Sequence, residues 1–399
     1  MGRPIHALAA GTLCLSGTAF AEIPAKAAWD WKQISTPPHV HESPAPTVAG
    51  VRAVFFDGLP WEGRPTRVFA YIGIPAHKPG AKVPGIVLVH GGLGTAFPDW
   101  VKLWTSRGYA AISMDTCGRA MVDGHAERHD MGGPPGWGGF EQIDWPVEDQ
   151  WTYHAVADVV LANSLLRAQS DVDPDRIGIT GISWGAYLTC IVAGLDDRLR
   201  FAVPVYGCGF LGDDSLWLPE FKKMGDILAH KWLLLWDPSR YLPRARMPFL
   251  WVDGSNDFAY PLDSLQRSYR LPPSQRTICV RLRMPHGQPS GASPEEIRAF
   301  ADGFLKQGVP LTKILSQAAR RGEAEVAFSS AARIAEAELN FTKDLGPWEG
   351  RRWETLPAKL DAMRHTASAS IPDGTAVYFF NLIDDRGLVV SSEHVERCP

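Results

Sequence analysis

The stretch Arg176–Gly185, RIGITGISWG, decides how the rest of the chain is arranged. It begins as a short apolar run, which is typical of a buried parallel strand, and residues 186–194 after it read as a helix. The pattern G-x-S-x-G between a strand and a helix predicts a strained turn, in which flanking glycines avoid collisions. We therefore expect the Ser183 hydroxyl to project from the sheet toward the start of a helix. Free N–H groups there favour a developing anion.

The composition of the whole chain is that of an ordinary globular protein. The 399 residues are 45% hydrophobic and 21% charged, with a formal net charge of −4. This mild acidity gives no sign of a nucleic-acid-binding surface. A chain of this length can bury one large core together with a smaller one.

The N-terminus has the features of a secretory signal peptide. Arg3 supplies a short positive region, Ala7–Phe20 is apolar, and Ala19-Phe20-Ala21 resembles a cleavage site. The apolar part is too short for a permanent membrane anchor. We predict cleavage near Ala21, export to the periplasm or the medium, and no membrane attachment of the mature chain. Residues 22–50 are rich in Pro and Ala and read as a loose leader.

Strands and helices alternate from residue 51 onward. Val51–Pro75 reads as an antiparallel hairpin. The alternation that follows predicts an α/β fold, with a mostly parallel sheet and helices on both of its faces. The segment 209–245 is helical and aromatic, and it stands where an insertion over the active site usually falls. Besides the strand before Gly181 and the helix after it, the predicted strands are 84–90, 109–115, 201–206, 247–253 and 277–284, and the predicted helices are 97–107, 147–168, 262–270 and 294–306.

The character of the chain changes after about Gly308. A short helical stretch is followed by alternating patches such as Thr375–Val395, with a turn signal at Pro372-Asp373-Gly374. This pattern predicts a small module that is similar to a β-sandwich. We therefore divide the chain into 1–21 (signal peptide), 22–50 (leader), 51–308 (α/β domain) and 309–399 (β-rich C-terminal module).

The G-x-S-x-G turn predicts that Ser183 is a nucleophile. A serine nucleophile requires a base, and the base requires an orienting carboxylate. In α/β-hydrolases these follow the serine in the order acid, then histidine, on loops after later strands. Asp257 lies in a turn just beyond strand 247–253, and His286 follows strand 277–284. Asp253 ends the same strand as the turn and is the rival acid. We prefer Asp257 because the turn carries it past the strand end.

Two backbone N–H groups are expected to form the oxyanion hole. One belongs to Trp184, the residue after the serine, and the other to the turn after strand 84–90. Gly92 is the first choice in that turn and Gly91 the second. We interpret the side chain of His90, just before them, as structural.

The Gly- and Pro-rich stretch 132–151 carries several aromatic residues. Two interpretations stay open: Trp137 and Trp145 line a substrate-binding rim, or the aromatics only pack the loop. The neighbouring His125 and His129 have the spacing of a metal pair on a helix. Because their segment is short and loop-like, we predict no metal there.

Several segments together give the chain a resemblance to a known family. Over about residues 51–308 it resembles α/β-hydrolases of the acetyl xylan esterase, dienelactone hydrolase-like and prolyl-oligopeptidase-like group. The resemblance implies an α/β-hydrolase domain with Ser183 as nucleophile, Asp257 as orienting acid and His286 as base. Dienelactone hydrolases proper use cysteine as nucleophile, so the serine favours an ester or peptide hydrolase. The segments are VHGG (89–92), VDPDRIGITGISWGAYLTC (172–190), DGSNDFAYP (253–261), MPHG (284–287) and AVPVYGCGF (202–210), of which the last is most similar to bacterial acetyl xylan esterase-like proteins.

The sequence therefore predicts an exported serine esterase that acts through an acyl-enzyme. Its expected substrates are small acyl esters, such as acetyl groups on carbohydrates, and this chemistry needs no metal or organic cofactor. A prolyl-oligopeptidase-like peptidase is the first alternative. It is disfavoured because those enzymes carry a large N-terminal gating domain, whereas only residues 22–50 precede the first strand. The second alternative is a non-catalytic binding protein on a hydrolase scaffold, which the intact order of Ser, Asp and His disfavours.

Overall fold

The computed structural model describes residues 29–45, 47–48, 50–122 and 124–397. The predicted signal peptide and its cleavage site lie outside these residues. No helix among the described residues is long and apolar enough to cross a membrane.

A nine-stranded sheet forms the centre of the protein, in the order β1-β2-β3-β5-β4-β8-β9-β10-β11. The neighbours from β5 to β11 in this order are parallel, and β1 to β3 add an antiparallel edge. The sheet is therefore mostly parallel, as predicted. Its strands are β1 (Val40–Glu42), β2 (Val51–Asp57), β3 (Arg67–Gly73), β4 (Val83–Val89), β5 (Ala110–Met114), β8 (Val172–Ile182), β9 (Ala202–Val205), β10 (Phe249–Gly254) and β11 (Arg276–Arg281), and a separate hairpin pairs β6 (Arg119–Val122) with β7 (His125–Arg128).

Helices cover both faces of this sheet. α3, α4 and α7 contribute to one hydrophobic core, and α2 and α9 contribute to the core on the opposite face. The helices are α1 (Trp31–Ser35), α2 (Pro98–Ser106), α3 (Trp151–Arg167), α4 (Trp184–Ala193), α5 (Leu218–Met224), α6 (Asp226–Trp236), α7 (Leu262–Tyr269), α8 (Gln288–Ala292) and α9 (Glu295–Leu305).

Strand β4 shows why the central strands read as continuous apolar runs. Val87 and Val89 pack in the core on the α3 side, whereas Ile86 and Leu88 between them pack in the core on the α2 side. Successive side chains of a strand point to opposite faces, so a strand covered on both sides needs an apolar residue at every position.

Two antiparallel sheets follow α9. One has the order β12-β13-β17-β16, the other the order β15-β14-β18-β19 with β20 beside β18, and a third core lies between them. The prediction of a short helix after Gly308 is wrong. Lys313–Arg320 is instead a strand, because it pairs along its length with Glu323–Ser329. The strands are β12 (Lys313–Arg320), β13 (Glu323–Ser329), β14 (Ile334–Thr342), β15 (Glu354–Pro357), β16 (Lys359–Asp361), β17 (Thr366–Ser370), β18 (Val377–Asp384), β19 (Val389–Ser391) and β20 (Val395–Glu396).

The C-terminal module also contributes to both cores of the nine-stranded sheet. Trp348, Trp353 and Phe379 belong to the core on the α3 side, and Leu388 and Val390 to the core on the α2 side. The boundary at residues 308 and 309 stays a prediction, but the two parts share buried apolar surface. Separating them would expose this surface to water.

His154 on α3 makes the stability of the fold depend on pH. The imidazole is buried, its Nε2–H donates to the Glu148 carbonyl (2.8 Å), and burial lowers its pKa to about 4. Between pH 6.5 and 4 the unfolded chain binds a proton that the folded chain does not, so stability falls as the pH falls through this window. From pH 7 to pH 5 we expect the free energy of unfolding to drop by about 2 kcal/mol more in the wild type than in His154→Gln.

Urea unfolding of both proteins at the two pH values measures this difference. Glutamine keeps an N–H donor at this position but does not titrate, so other groups cancel in the comparison. Equal pH dependence of the two proteins would show that His154 does not cause the effect.

Candidate active site

Ser183 occupies a sharp turn between β8 and α4. Its backbone has φ 57° and ψ −122°, outside the regions that side-chain-bearing residues prefer. Close packing around the turn enforces this conformation: a Cβ atom on Gly185 would lie 2.0 Å from the Val89 carbonyl oxygen, and one on Gly181 would lie 2.1 Å from the Gly185 carbonyl oxygen. Only glycine fits at both positions, which accounts for the G-x-S-x-G pattern. The turn places the serine hydroxyl at the carboxyl end of the sheet.

Ser183, His286 and Asp257 form one chain of hydrogen bonds. The Ser183 hydroxyl donates to His286 Nε2 (2.9 Å), and His286 Nδ1–H donates to Asp257 Oδ2 (2.6 Å). The other carboxylate oxygen, Oδ1, accepts from the N–H groups of Ala259 (2.9 Å) and Tyr260 (2.8 Å). The loops after β10 and β11 thus bring together the three residues that the sequence selects, in the geometry that activates a serine nucleophile.

Asp253, the rival acid, has a different environment. Its Oδ1 accepts from the N–H of Gly254 (2.7 Å), and its Oδ2 is buried without a hydrogen-bond partner in the described part of the chain. Burial and the neighbouring negative charge of Asp257 raise the pKa of Asp253 well above its usual value. Burial thus disfavours the charged form of Asp253, and Asp257 is the carboxylate in contact with the histidine.

Two aromatic rings hold the His286 imidazole. The Tyr206 ring lies 4.5 Å from it and the Phe258 ring 5.1 Å from it, between ring centroids. Tyr206 also donates its hydroxyl to the Gly287 carbonyl (2.8 Å), and burial raises its pKa, so it stays a donor. Neither ring is among the site residues predicted from the sequence, although Tyr206 directly follows β9 and Phe258 directly follows Asp257.

The turn after β4 packs directly on the serine turn. A Cβ atom on Gly91 would lie 2.9 Å from the Ile182 carbonyl oxygen, and one on Gly92 would lie 2.9 Å from Cδ1 of Trp184. Trp184 is the first residue of α4, where backbone N–H groups have no partner inside the helix. The two segments expected to supply the oxyanion hole are therefore in contact, and the choice of Gly92 over Gly91 stays a prediction.

His90 is buried beneath this turn. Its Nδ1–H donates to the Gly91 carbonyl (2.8 Å), and Nε2 accepts from the Thr116 hydroxyl (3.3 Å). Burial lowers the pKa of His90, so the ring is neutral. These contacts fix the backbone of the turn, in line with the structural interpretation of this histidine.

The two tryptophans predicted to bind substrate differ in position. The Trp137 ring lies edge-on to His90 (5.6 Å) and to Trp151 (6.1 Å), behind the glycine turn. Trp145 is 38% exposed and is attached through its carbonyl, which accepts from Gln150 Nε2 (2.9 Å). Trp137 is thus partly buried next to the site and Trp145 is partly exposed at the surface, and substrate binding by either ring stays a prediction.

An aromatic cluster surrounds the Trp184 ring. Ring centroids of four residues lie 4.6 to 6.1 Å from it, and Trp217, in the segment 209–245, is the nearest. Trp217 also contacts Tyr260 in the loop of Asp257 (4.8 Å). The residue next to the nucleophile is therefore enclosed by rigid rings, which are Phe140, Trp151, Tyr187 and Trp217.

The pair His125 and His129 does not lie on a helix. His125 begins strand β7 and is exposed, whereas the His129 ring packs against Phe55 (5.0 Å). Among the described residues no group of three or more His, Cys, Asp or Glu side chains could hold a metal ion.

Comparisons with known proteins find similarity to acetyl xylan esterases. Residues 39–214 match the acetyl xylan esterase family. The acetyl xylan esterase from Paenibacillus sp. R4 is 23% identical with a TM-score of 0.55, covering 70% of this chain and 93% of that one. Acetyl xylan esterase 1 from Thermoanaerobacterium sp. JW/SL YS485 is 18% identical with a TM-score of 0.51, covering 69% and 92%. No curated protein matches the chain.

Proposed function

We propose that the chain, which has the α/β-hydrolase fold, is an exported serine esterase that removes small acyl groups, above all acetyl groups, from carbohydrates. The observation that carries this proposal is the hydrogen-bond chain from Asp257 through His286 to Ser183, located in a chain that matches the acetyl xylan esterase family over residues 39–214. Export rests on the predicted signal peptide, 1–21.

The first half of the reaction forms an acyl-enzyme. The Ser183 oxygen attacks the ester carbonyl carbon while its proton passes to His286 Nε2, and Asp257 stabilises the resulting imidazolium. The N–H groups of Trp184 and Gly92 hold the oxyanion. When the intermediate collapses, the bond to the alcohol oxygen breaks, and the alcohol leaves with the proton from His286.

The second half releases the acid. A water molecule gives a proton to His286 and attacks the acyl carbon, which forms a second oxyanion in the same hole. Its collapse breaks the bond to Ser183, and His286 returns the proton to the serine oxygen. The residues are then in their starting state, so the cycle balances without a cofactor.

The acyl group is expected to be short because aromatic rings surround Trp184, next to the nucleophile. Inserting extra methylene groups into such a wall costs about 1–3 kcal/mol. We therefore expect kcat/KM for p-nitrophenyl acetate to exceed that for the octanoate by about 5- to 160-fold. Trp217→Ala should lower the ratio of kcat/KM for acetate to that for octanoate, because it removes one of the rings around Trp184. Trp145→Ala changes an exposed residue and should leave this ratio unchanged.

Steady-state rates with a p-nitrophenyl series from acetate to octanoate measure the ratio. Release of acetate from acetylated xylan tests the carbohydrate part of the proposal, and Trp145→Ala should weaken activity on xylan selectively if Trp145 binds sugar. Turnover of a chromogenic dipeptide without ester turnover would instead favour a peptidase. A preference for octanoate in the wild type would contradict the short-acyl assignment.

Export is tested separately. Cell fractionation followed by intact mass measurement should find a mature chain that lacks residues 1–21. A full-length chain retained in the cytoplasm would contradict this part of the proposal.

A further inference from the structure

The loop of the triad acid is held by the C-terminal module. Asn256 precedes Asp257 in the chain, and its side chain reaches the segment 346–353, which connects β14 to β15. We infer that Asn256 is a positioning residue: it ties Asp257 and His286 to the module, so the module is a structural part of the active site. This inference rests on the proposed function.

The Asn256 side chain uses both ends of its amide. Nδ2 donates to the backbone carbonyls of Trp348 (3.1 Å), Glu349 (3.2 Å) and Arg351 (2.7 Å). Oδ1 accepts from the hydroxyl of Ser255 (2.8 Å). An amide bonded at both ends has one allowed orientation, so it fixes the backbone that carries Asp257.

Ser255 extends this connection to the loop of the histidine. Its hydroxyl oxygen accepts from the N–H of Arg283 (3.0 Å), and its own N–H donates to the Arg281 carbonyl (3.0 Å). Arg283 has a positive φ of 52° and reaches the module with its guanidinium, which donates to the Trp353 carbonyl (3.1 Å). The acid loop and the histidine loop are therefore bound to each other and to the same segment of the module.

The holding segment is itself firmly anchored. Trp348 and Trp353 are buried in the core that the module shares with the nine-stranded sheet. The Trp353 ring lies 5.2 Å from Phe379 of β18, and the Arg351 guanidinium lies 3.7 Å from the centre of the Trp348 ring. Because the segment 346–353 is fixed at both tryptophans, it can hold the Asn256 side chain in place.

The module also covers the free edge of β11, the strand that leads to His286. The N–H of Val280 donates to Ser391 Oγ (2.8 Å), and its carbonyl accepts from Asn381 Nδ2 (3.2 Å). At the end of β11, Arg281 donates to the buried Glu296 (2.5 Å), which also accepts from the N–H of Val389 (2.7 Å). Side-chain hydrogen bonds from the module therefore hold the strand that leads to His286.

The test is Asn256→Ala, measured as kcat and KM for p-nitrophenyl acetate and as the rate of Ser183 modification by a fluorophosphonate. We expect kcat and the modification rate to fall roughly 10- to 100-fold with little change in KM, because a misplaced triad slows the chemical step and leaves binding intact. Gln266→Ala is the matched control. Gln266 also bonds the module, through the His394 carbonyl (2.8 Å), but from α7 instead of a triad loop.

The comparison of the two variants decides the inference. Gln266→Ala should lower Tm without lowering kcat, whereas Asn256→Ala should lower kcat while circular dichroism shows it folded. Equal kcat in both variants overturns the inference. If Asn256→Ala does not fold, Asn256→Asp takes its place, since its carboxylate can still accept from Ser255 but cannot donate to the three carbonyls of the module, and an unchanged kcat there is equally decisive. A wild type with no ester turnover and no fluorophosphonate labelling would instead contradict the proposed function.

Discussion

Ser183→Ala is expected to lower kcat for acetyl esters by roughly a millionfold, which is the size of effect seen when a serine nucleophile is removed from a triad. Without the hydroxyl, no acyl-enzyme can form, and His286 has no proton to accept. The backbone conformation of the turn is set by the packing of Gly181 and Gly185, so alanine should adopt it as serine does. Steady-state kinetics, together with mass spectrometry of the fluorophosphonate adduct, measures the result.

A second serine provides the control for this experiment. Ser106 lies at the end of α2, is exposed, and bonds only locally, to the Leu103 carbonyl (2.8 Å). Ser106→Ala should keep full activity and full labelling, and both variants should keep the circular dichroism spectrum of the wild type. Turnover or labelling that survives in Ser183→Ala would show that another residue is the nucleophile.

The features that the sequence predicts well are those encoded locally. The apolar run of β8, the glycines of the serine turn and the apolar helix after it occur in one continuous stretch, so each can be read from its neighbours. The loops of Asp257 and His286 could be located for the same reason, since each directly follows a strand. Asp253 and Asp257 could be ranked only by position, because burial and the charge of a neighbour are properties of the folded chain.

The features that the sequence does not predict depend on contacts between distant segments. Tyr206 reaches His286 across 80 residues of chain, and Asn256 reaches Arg351 across 95. No local pattern marks such pairs. Lys313–Arg320 misleads for a related reason: the segment KILSQAAR has no strict alternation and contains good helix formers, but pairing with β13 overrides this propensity.

Asp257→Asn is expected to lower kcat about ten-thousandfold, the loss that follows when the triad acid is replaced by its amide. The N–H groups of Ala259 and Tyr260 already occupy Oδ1, so the asparagine oxygen stays with them and its NH2 group faces His286 Nδ1. Nδ1 must then accept a hydrogen bond, which places the imidazole proton on Nε2. A protonated Nε2 cannot take the proton of Ser183, so the base is lost although the geometry is kept.

Asp253→Asn is the matched control, because it makes the same chemical change four residues earlier. Burial and the charge of Asp257 raise the pKa of Asp253, which favours its neutral acid form, and asparagine is a neutral group of the same shape. Its Oδ1 can still accept from the N–H of Gly254, and we expect kcat to be nearly unchanged. Steady-state kinetics of the two variants on p-nitrophenyl acetate gives the comparison. If Asp253→Asn shows the larger loss, Asp253 is the acid that orients His286, and the contact between Asp257 and His286 is not the catalytic one.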